Sequence, residues 1–203
     1  MKKIRILAVT VKIIFQFLIK PSSSYFDVVE KICKDELKKR PNNFYVSLLL
    51  GQLYVQNNKH WQAVPILESI YKAGSQGQKL KRLLARAYFN IKDYENVINI
   101  LQNTKIKANN STIYYLGVSL IEKGEVQKGI EYLEKYLISH PHDYNVHWKL
   151  GYELFRIGEY RKALNSYLKA RELKHCKELD EGIKLCHERL KTISKSGVCQ
   201  GSC

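Results

Sequence analysis

A short motif recurs at a nearly constant interval, and that period constrains this 203-residue chain more than any other feature. Leu50-Gly51 with Tyr54, Leu84-Ala85 with Tyr88, Leu116-Gly117 with Leu120, and Leu150-Gly151 with Leu154 place their small residues 34, 32 and 34 positions apart. Eight to twelve residues after each small residue stands a second signature: His60-Trp61-Gln62-Ala63, Asp93-Tyr94-Glu95-Asn96-Val97, Val126-Gln127-Lys128-Gly129 and Tyr160-Arg161-Lys162-Ala163. Each runs into apolar residues at helical spacing, such as Ile66, Leu67 and Ile70, or Leu164, Tyr167 and Leu168. Breakers separate the two signatures: Asn57-Asn58, Asn90 with Asp93, Lys123-Gly124, and Gly158-Glu159. The unit is a helix, a tight turn and a helix. A hairpin of this length cannot bury its apolar face alone, so neighbours must stack and the fold class is all-α.

These residues resemble the tetratricopeptide repeat (TPR) family. The resemblance implies a right-handed α-solenoid in which small residues in both helices permit close approach, a large side chain fills the gap, and proline often ends the unit. Gly51, Ala85, Gly117 and Gly151 match the first small position, and Ala63, Gly129 and Ala163 the second, with Val97 departing modestly. Leu67, Leu101, Leu133 and Tyr167 occupy the large position. The next small position holds Ala170 in the last repeat but Ile70, Thr104 and Tyr136 in the others, where looser packing is expected. Pro141 ends the third unit, whereas Ser75 stands where the first would carry proline. The four repeats span residues 44–177.

Reading back from Pro41, Ser23 or Ser24 is expected to cap a helix burying Val28, Val29, Ile32, Cys33 and Leu37, so residues 21–43 form a degenerate half-repeat. At the other end, residues 178–194 are expected to form a capping helix through Leu179, Ile183, Leu185, Cys186 and Leu190, ahead of a flexible tail over 195–203. Residues 1–20 read as a basic amphipathic helix, with Lys2, Lys3, Arg5, Lys12 and Lys20 and no acidic residue. Its apolar run is shorter than the ~20 residues of a bilayer span, and Lys12 at mid-membrane would cost about 2.5–3.5 kcal/mol. No small-residue cleavage site follows it. Two readings stay open. In one the helix lies in a membrane interface, each cation near anionic headgroups contributing about 1 kcal/mol. In the other it packs on the array as a cap. An organelle transit peptide is a lesser alternative, because lysine rather than arginine dominates. Five cysteines at uneven spacing suit a reducing compartment, so the expected location is cytoplasmic, peripheral at a membrane under the first reading.

If the family geometry holds, the first helix of each hairpin lines a concave groove. The positions facing it read Tyr45, Leu48 and Gln52 in the first repeat, Lys79, Arg82, Arg86 and Phe89 in the second, Tyr114, Tyr115, Val118 and Glu122 in the third, and Asn145, Trp148, Tyr152, Phe155 and Arg156 in the fourth. Gln52, Lys79, Arg82, Arg86, Phe89, Tyr114, Trp148, Tyr152, Phe155 and Arg156 are the candidate partner-binding residues. Aromatic anchors beside arginine suit a protein or peptide with acidic and apolar side chains. The competing reading of each tyrosine and phenylalanine is plain core packing. TPR domains that grip chaperone tails use a lysine and an asparagine in their first repeat, where Leu48 and Gln52 stand here, so that clamp is not expected.

No phosphate loop, zinc-protease motif or nucleophile elbow occurs, and the sequence offers no catalytic residue, no cofactor site and no metal site. His175-Cys176 and Cys186-His187 lie too far apart on one expected helix to share a metal, and Cys199 with Cys203 reads as an unused tail pair. The expected function is therefore a non-enzymatic adaptor. The alternative is a helical-repeat nucleic-acid binder, prompted by 34 Lys+Arg against 19 Asp+Glu, a net charge of +15. That charge is spread too evenly beyond residues 1–26 and 79–86 to track phosphates, so nucleic acid is not the expected partner.

Overall fold

The computed structural model describes residues 23–102 and 110–198. The amphipathic helix expected over residues 1–20, Thr104, and the Cys199–Cys203 pair lie outside the described residues. Among the described residues there are ten α-helices and no strand: α1 (Ser23–Lys39), α2 (Phe44–Gln56), α3 (His60–Lys72), α4 (Gln78–Asn90), α5 (Tyr94–Gln102), α6 (Asn110–Glu122), α7 (Val126–Ser139), α8 (Tyr144–Arg156), α9 (Tyr160–Leu173) and α10 (Lys177–Val198). The fold is all-α, of the helical-repeat solenoid class. Helices α2/α3, α4/α5, α6/α7 and α8/α9 correspond to the four repeats.

Every repeat turns the same way. After the first helix the chain enters the left-handed region at Asn58 (φ 58°), Lys92 (φ 63°), Gly124 (φ 91°) and Gly158 (φ 85°). In three repeats the next amide then reaches back five residues to close the helix end: Lys59 N–H to the Tyr54 carbonyl (2.8 Å), Glu125 to Leu120 (2.9 Å) and Glu159 to Leu154 (2.9 Å). The acceptors are the third residues after Gly51, Gly117 and Gly151, so the motif positions and the turn share one phase. Elsewhere proline sets the boundary. Pro41 leads to Asn43 and Pro141 to Asp143, whose side chains cap α2 and α8 by accepting first-turn amides.

The small residues sit where two helices of a hairpin cross. A Cβ on Gly51 would overlap Leu67, one on Gly117 would lie 3.0 Å from Cδ2 of Leu133, and one on Gly151 would lie 2.6 Å from Cδ1 of Tyr167. In each pair the large side chain comes sixteen residues after the glycine. Ala63 and Ala163 are fully buried, and so is Val97, the departure from the pattern.

The chain forms two compact units, Met1–Lys92 and Asp93–Cys203, so the second repeat contributes α4 to one and α5 to the other. In the first unit α1, α2, α3 and α4 pack in sequence and α2 also meets α4. Tyr54 of α2 donates to Glu30 of α1 (2.8 Å), and Tyr88 of α4 donates to Glu68 of α3, so the same motif position ties each first helix to the helix before it. On α1, Val29 and Cys33 are fully buried as expected, but Val28 is 43% exposed. Ile70 is buried and α3 meets α4, so the looser packing expected there is absent.

In the second unit α5 to α10 pack in sequence and α8 also meets α10. Here the expected loosening occurs at Tyr136. Its ring stacks on His140 (centroids 4.3 Å apart, planes within 6°) and its hydroxyl donates to Asp143 (3.0 Å), so a bulky pair occupies the seam between α7 and α8. A cleft of about 530 Å³ opens beside it, walled by Leu137 and Ile138 of α7 and Lys169 and Leu173 of α9, and floored by Leu150 and Leu154 of α8.

Candidate partner-binding faces

The ten candidate residues divide evenly between the two units. Gln52 on α2 and Lys79, Arg82, Arg86 and Phe89 on α4 belong to the first; Tyr114 on α6 and Trp148, Tyr152, Phe155 and Arg156 on α8 belong to the second.

On α4, Lys79, Arg82 and Arg86 follow one another at three and four residues and share a helix face. Lys79 and Arg86 are exposed, and Arg82, Phe89 and α2's Gln52 are half-buried. The helix QKLKRLLARAYFN contains no acidic residue, and none of its three face cations has an ion pair among the described residues. Arg86 acts on a residue the sequence did not single out. His60, at the start of α3, is buried, its Nδ1 lacks a hydrogen-bond partner among the described residues, and burial and then the Arg86 charge hold its pKa below the ordinary histidine value.

On α8, Trp148 and Tyr152 stand one turn apart with planes within 9° and centroids 6.0 Å apart, and they remain 39% and 47% exposed. Arg156, one turn further, brings its guanidinium carbon 5.8 Å from the Tyr152 centroid. An unbroken row of aromatic and cationic side chains in water is what a helix presents when its other face holds the core. That other face carries Val146, Leu150 and Leu154, all buried.

Two candidates are engaged inward. Tyr114 is half-buried against Tyr115 and Tyr136 (centroids 5.9 and 5.5 Å), and burial pushes its phenol pKa up. Phe155 packs edge-on against Tyr160 at 5.2 Å. Two further positions expected to face the groove also lie inward: Val118 is buried and Leu48 half-buried, whereas Tyr45 is exposed.

The sequence reading also missed an ionic chain beneath the α8 row. Glu153, only 2% exposed, accepts from Nη1 of Arg156 at 2.8 Å and lies 3.8 Å from Nζ of Lys149, which reaches Glu122 on α6 at 3.0 Å. The spacings Lys149–Glu153 and Glu153–Arg156 were visible as helical neighbours, but an i,i+3 or i,i+4 pair usually sits in solvent and gives no sign of burial.

Among the described residues no three or more histidine, cysteine or acidic side chains gather as metal ligands. No helix among them is long and apolar enough to cross a membrane.

Residues 111–143, which take in α6, its turn, α7 and the Pro141 boundary, match the family model of the tetratricopeptide repeat. The fold is similar to a crystal structure of MamA, 25% identical, with 74% of this chain and 90% of that one covered and a TM-score of 0.65. It is also similar to a MamA structure denoted MSR-1 (20% identity, 84% and 97% covered, TM-score 0.67). A third similar structure is MamA from Desulfovibrio magneticus RS-1 (18% identity, 74% and 86% covered, TM-score 0.65). At these last two identities the likeness concerns the fold alone. No curated protein matches the sequence.

Proposed function

We propose that this chain of tetratricopeptide repeats is a non-enzymatic adaptor that holds a partner protein on the exposed faces of its first helices, using Lys79, Arg82 and Arg86 for acidic side chains and Trp148 and Tyr152 for apolar ones. The observation that carries the reading is the parallel, half-exposed Trp148–Tyr152 pair. Such rings gain free energy when a partner covers them, and large aromatic side chains dominate binding at protein interfaces. Arginine forks on α4 add directional recognition of carboxylates.

The reading is tested by affinity capture with the wild type and an Arg82→Ala/Arg86→Ala/Trp148→Ala variant. The partner recovered by the wild type is expected to be lost from the variant, and equal recovery overturns the assignment. A gel-shift series with oligonucleotides addresses the nucleic-acid alternative, which would require affinity that collapses as salt rises.

Attachment to an anionic membrane through residues 1–20 is a separate part of the proposal, supported by five cations without an acidic residue in that segment. The full chain is expected to sediment with anionic vesicles and a chain beginning at Pro21 to stay in the supernatant. Equal sedimentation removes it.

A further inference from the structure

We infer that the cleft between α7 and α9 is a second docking site, which takes an amphipathic helix of a partner protein with its apolar stripe against Leu137, Ile138 and Leu173 and its acidic flank along α9. The site stands on second helices of the repeats and does not depend on the α4 cations or the α8 aromatic row.

The cleft lies where the repeat pattern breaks. The small position that holds Ala170 in the last repeat holds Tyr136 in the third, and the trough of about 530 Å³ opens next to the Tyr136–His140 stack. That volume falls within the ~300–1,000 Å³ of ordinary binding pockets. Its floor is closed, Leu150 and Leu154 being buried, so the apolar surface on offer comes from the walls. Ile138 is 82% exposed, Leu173 38%, and Leu137 is half-buried. No other large apolar side chain described is as exposed as Ile138. Scattered singly such residues are ordinary, but here they stand on two helices and line one trough.

The lining decides between a helix and an extended chain. Both walls and the floor are α-helices, whose backbone donors and acceptors are used internally. Pro141, in the turn at one end, has no N–H, and its carbonyl accepts from Nε2 of His147 at 2.9 Å. A strand laid here would find no ladder of backbone partners, so an occupant has to satisfy its own backbone, as a helix does. Polyproline segments dock in grooves lined by aromatic rings, and no phenylalanine, tyrosine or tryptophan lines this cleft. Aliphatic walls suit the apolar face of a helix.

Charge sets the orientation of that helix about its own axis. Lys162, Asn165 and Lys169 follow one another at three and four residues and share a face of α9. Lys162 has only an exposed pairing with Glu159 at 3.5 Å, and Lys169 has no ion pair among the described residues. Glu172 is the one acidic side chain on that wall, and Glu134 is the one charged side chain on the α7 wall. The acidic flank of the partner therefore runs along α9 and its basic flank faces α7. Carboxylates seven residues apart on a helix are two turns apart, as Lys162 and Lys169 are on theirs.

The test titrates the full chain by methyl NMR with a lactam-locked helical peptide of about fourteen residues, or four turns. It bears a leucine stripe, two glutamates seven residues apart on one flank and lysines on the other. The peptide is expected to shift the methyl signals of Ile138 and Leu173, and Ile138→Asp is expected to weaken it about tenfold. Lys162→Glu/Lys169→Glu is expected to weaken it about tenfold as well, with binding recovered by a peptide carrying lysine in place of the two glutamates. All three positions are exposed, so both variants should keep the wild-type denaturant midpoint. The Arg82→Ala/Arg86→Ala/Trp148→Ala variant should bind the peptide as the wild type does, which separates failure of the earlier assignment from failure of this one. No shift at Ile138 and Leu173 overturns the inference, as does an equal shift by a peptide with its leucines scattered round the helix. Equal binding by a proline-broken copy of the peptide assigns the cleft to an extended chain and overturns it. A dimer lost in Ile138→Asp, read by light scattering, assigns the cleft to a second copy of this chain and also overturns it.

Discussion

Gly151 and Tyr167 form the tightest joint of the last hairpin: the Cβ that glycine lacks would lie 2.6 Å from Cδ1 and 2.7 Å from Cε1 of the ring. On its other side the same ring faces Gly182 of α10, where a Cβ would lie 3.0 Å away. The ring cannot retreat in either direction. Gly151→Ala is therefore expected to destabilise the chain by about 1–3 kcal/mol, the range of overpacked cores, read as a lower denaturant midpoint with an unchanged slope.

Lys92 is the one lysine in a turn position that glycine fills in the third and fourth repeats, and its φ of 63° is unfavourable for a side chain. The left-handed conformation costs roughly 1–2 kcal/mol outside glycine, and glycine's added freedom in the unfolded chain returns part of that. Lys92→Gly is expected to stabilise by about 0.5–1 kcal/mol in a denaturant titration. A destabilised variant would show that the lysine side chain contributes more than its backbone costs.

Asp143 serves two elements. Oδ1 accepts from the amides of Asn145 (3.1 Å) and Val146 (3.3 Å) to cap α8, and Oδ2 accepts from the Tyr136 hydroxyl. Asp143→Ala removes a cap worth about 1–2 kcal/mol and strands a half-buried hydroxyl, for a total of about 2–3 kcal/mol. The cap at Asn43 makes one bond of 3.4 Å, so Asn43→Ala should cost less. Equal losses in the two variants would contradict the dual role.

His60 makes stability depend on pH. Its folded pKa lies below the ordinary 6.5 because burial and then Arg86 disfavour the cation. The unfolded chain therefore takes up a proton first as pH falls, and the contribution present above 6.5 is lost as pH drops through the folded value. Arg86→Gln should raise the His60 pKa, read from its ring proton shifts, and narrow that window. An unchanged pKa would mean that burial alone sets it.

How much of this could be read beforehand differs between interior and surface. The pairs Gly51 with Leu67, Gly117 with Leu133 and Gly151 with Tyr167 were legible because a steric requirement repeats in phase, and each copy vouches for the others. Tyr54 and Tyr88 were legible as positions but not as hydrogen-bond donors to Glu30 and Glu68, since their acceptors sit at different sequence separations. The Trp148–Tyr152–Arg156 row follows from helical spacing. Its electrostatic state does not, because Glu153 looks like any solvated glutamate until the depth of its carboxylate is seen. Val28 was misjudged for a related reason: an aliphatic residue at the border of an apolar stripe can fall on either side, and periodicity does not resolve the margin. Ile70 failed in the opposite sense. A large residue at a nominally small position was expected to pry two helices apart, and the seam absorbed it.

The Gly51 and Gly117 joints meet their large residues within their own hairpins, whereas the Tyr167 ring of the Gly151 joint is also held from outside by Gly182 of α10. Either of the first two hairpins could in principle be duplicated or deleted while the locks of the remaining ones stay intact. The number of display surfaces then becomes something evolution, or an engineer, can lengthen or trim without redesigning the interior.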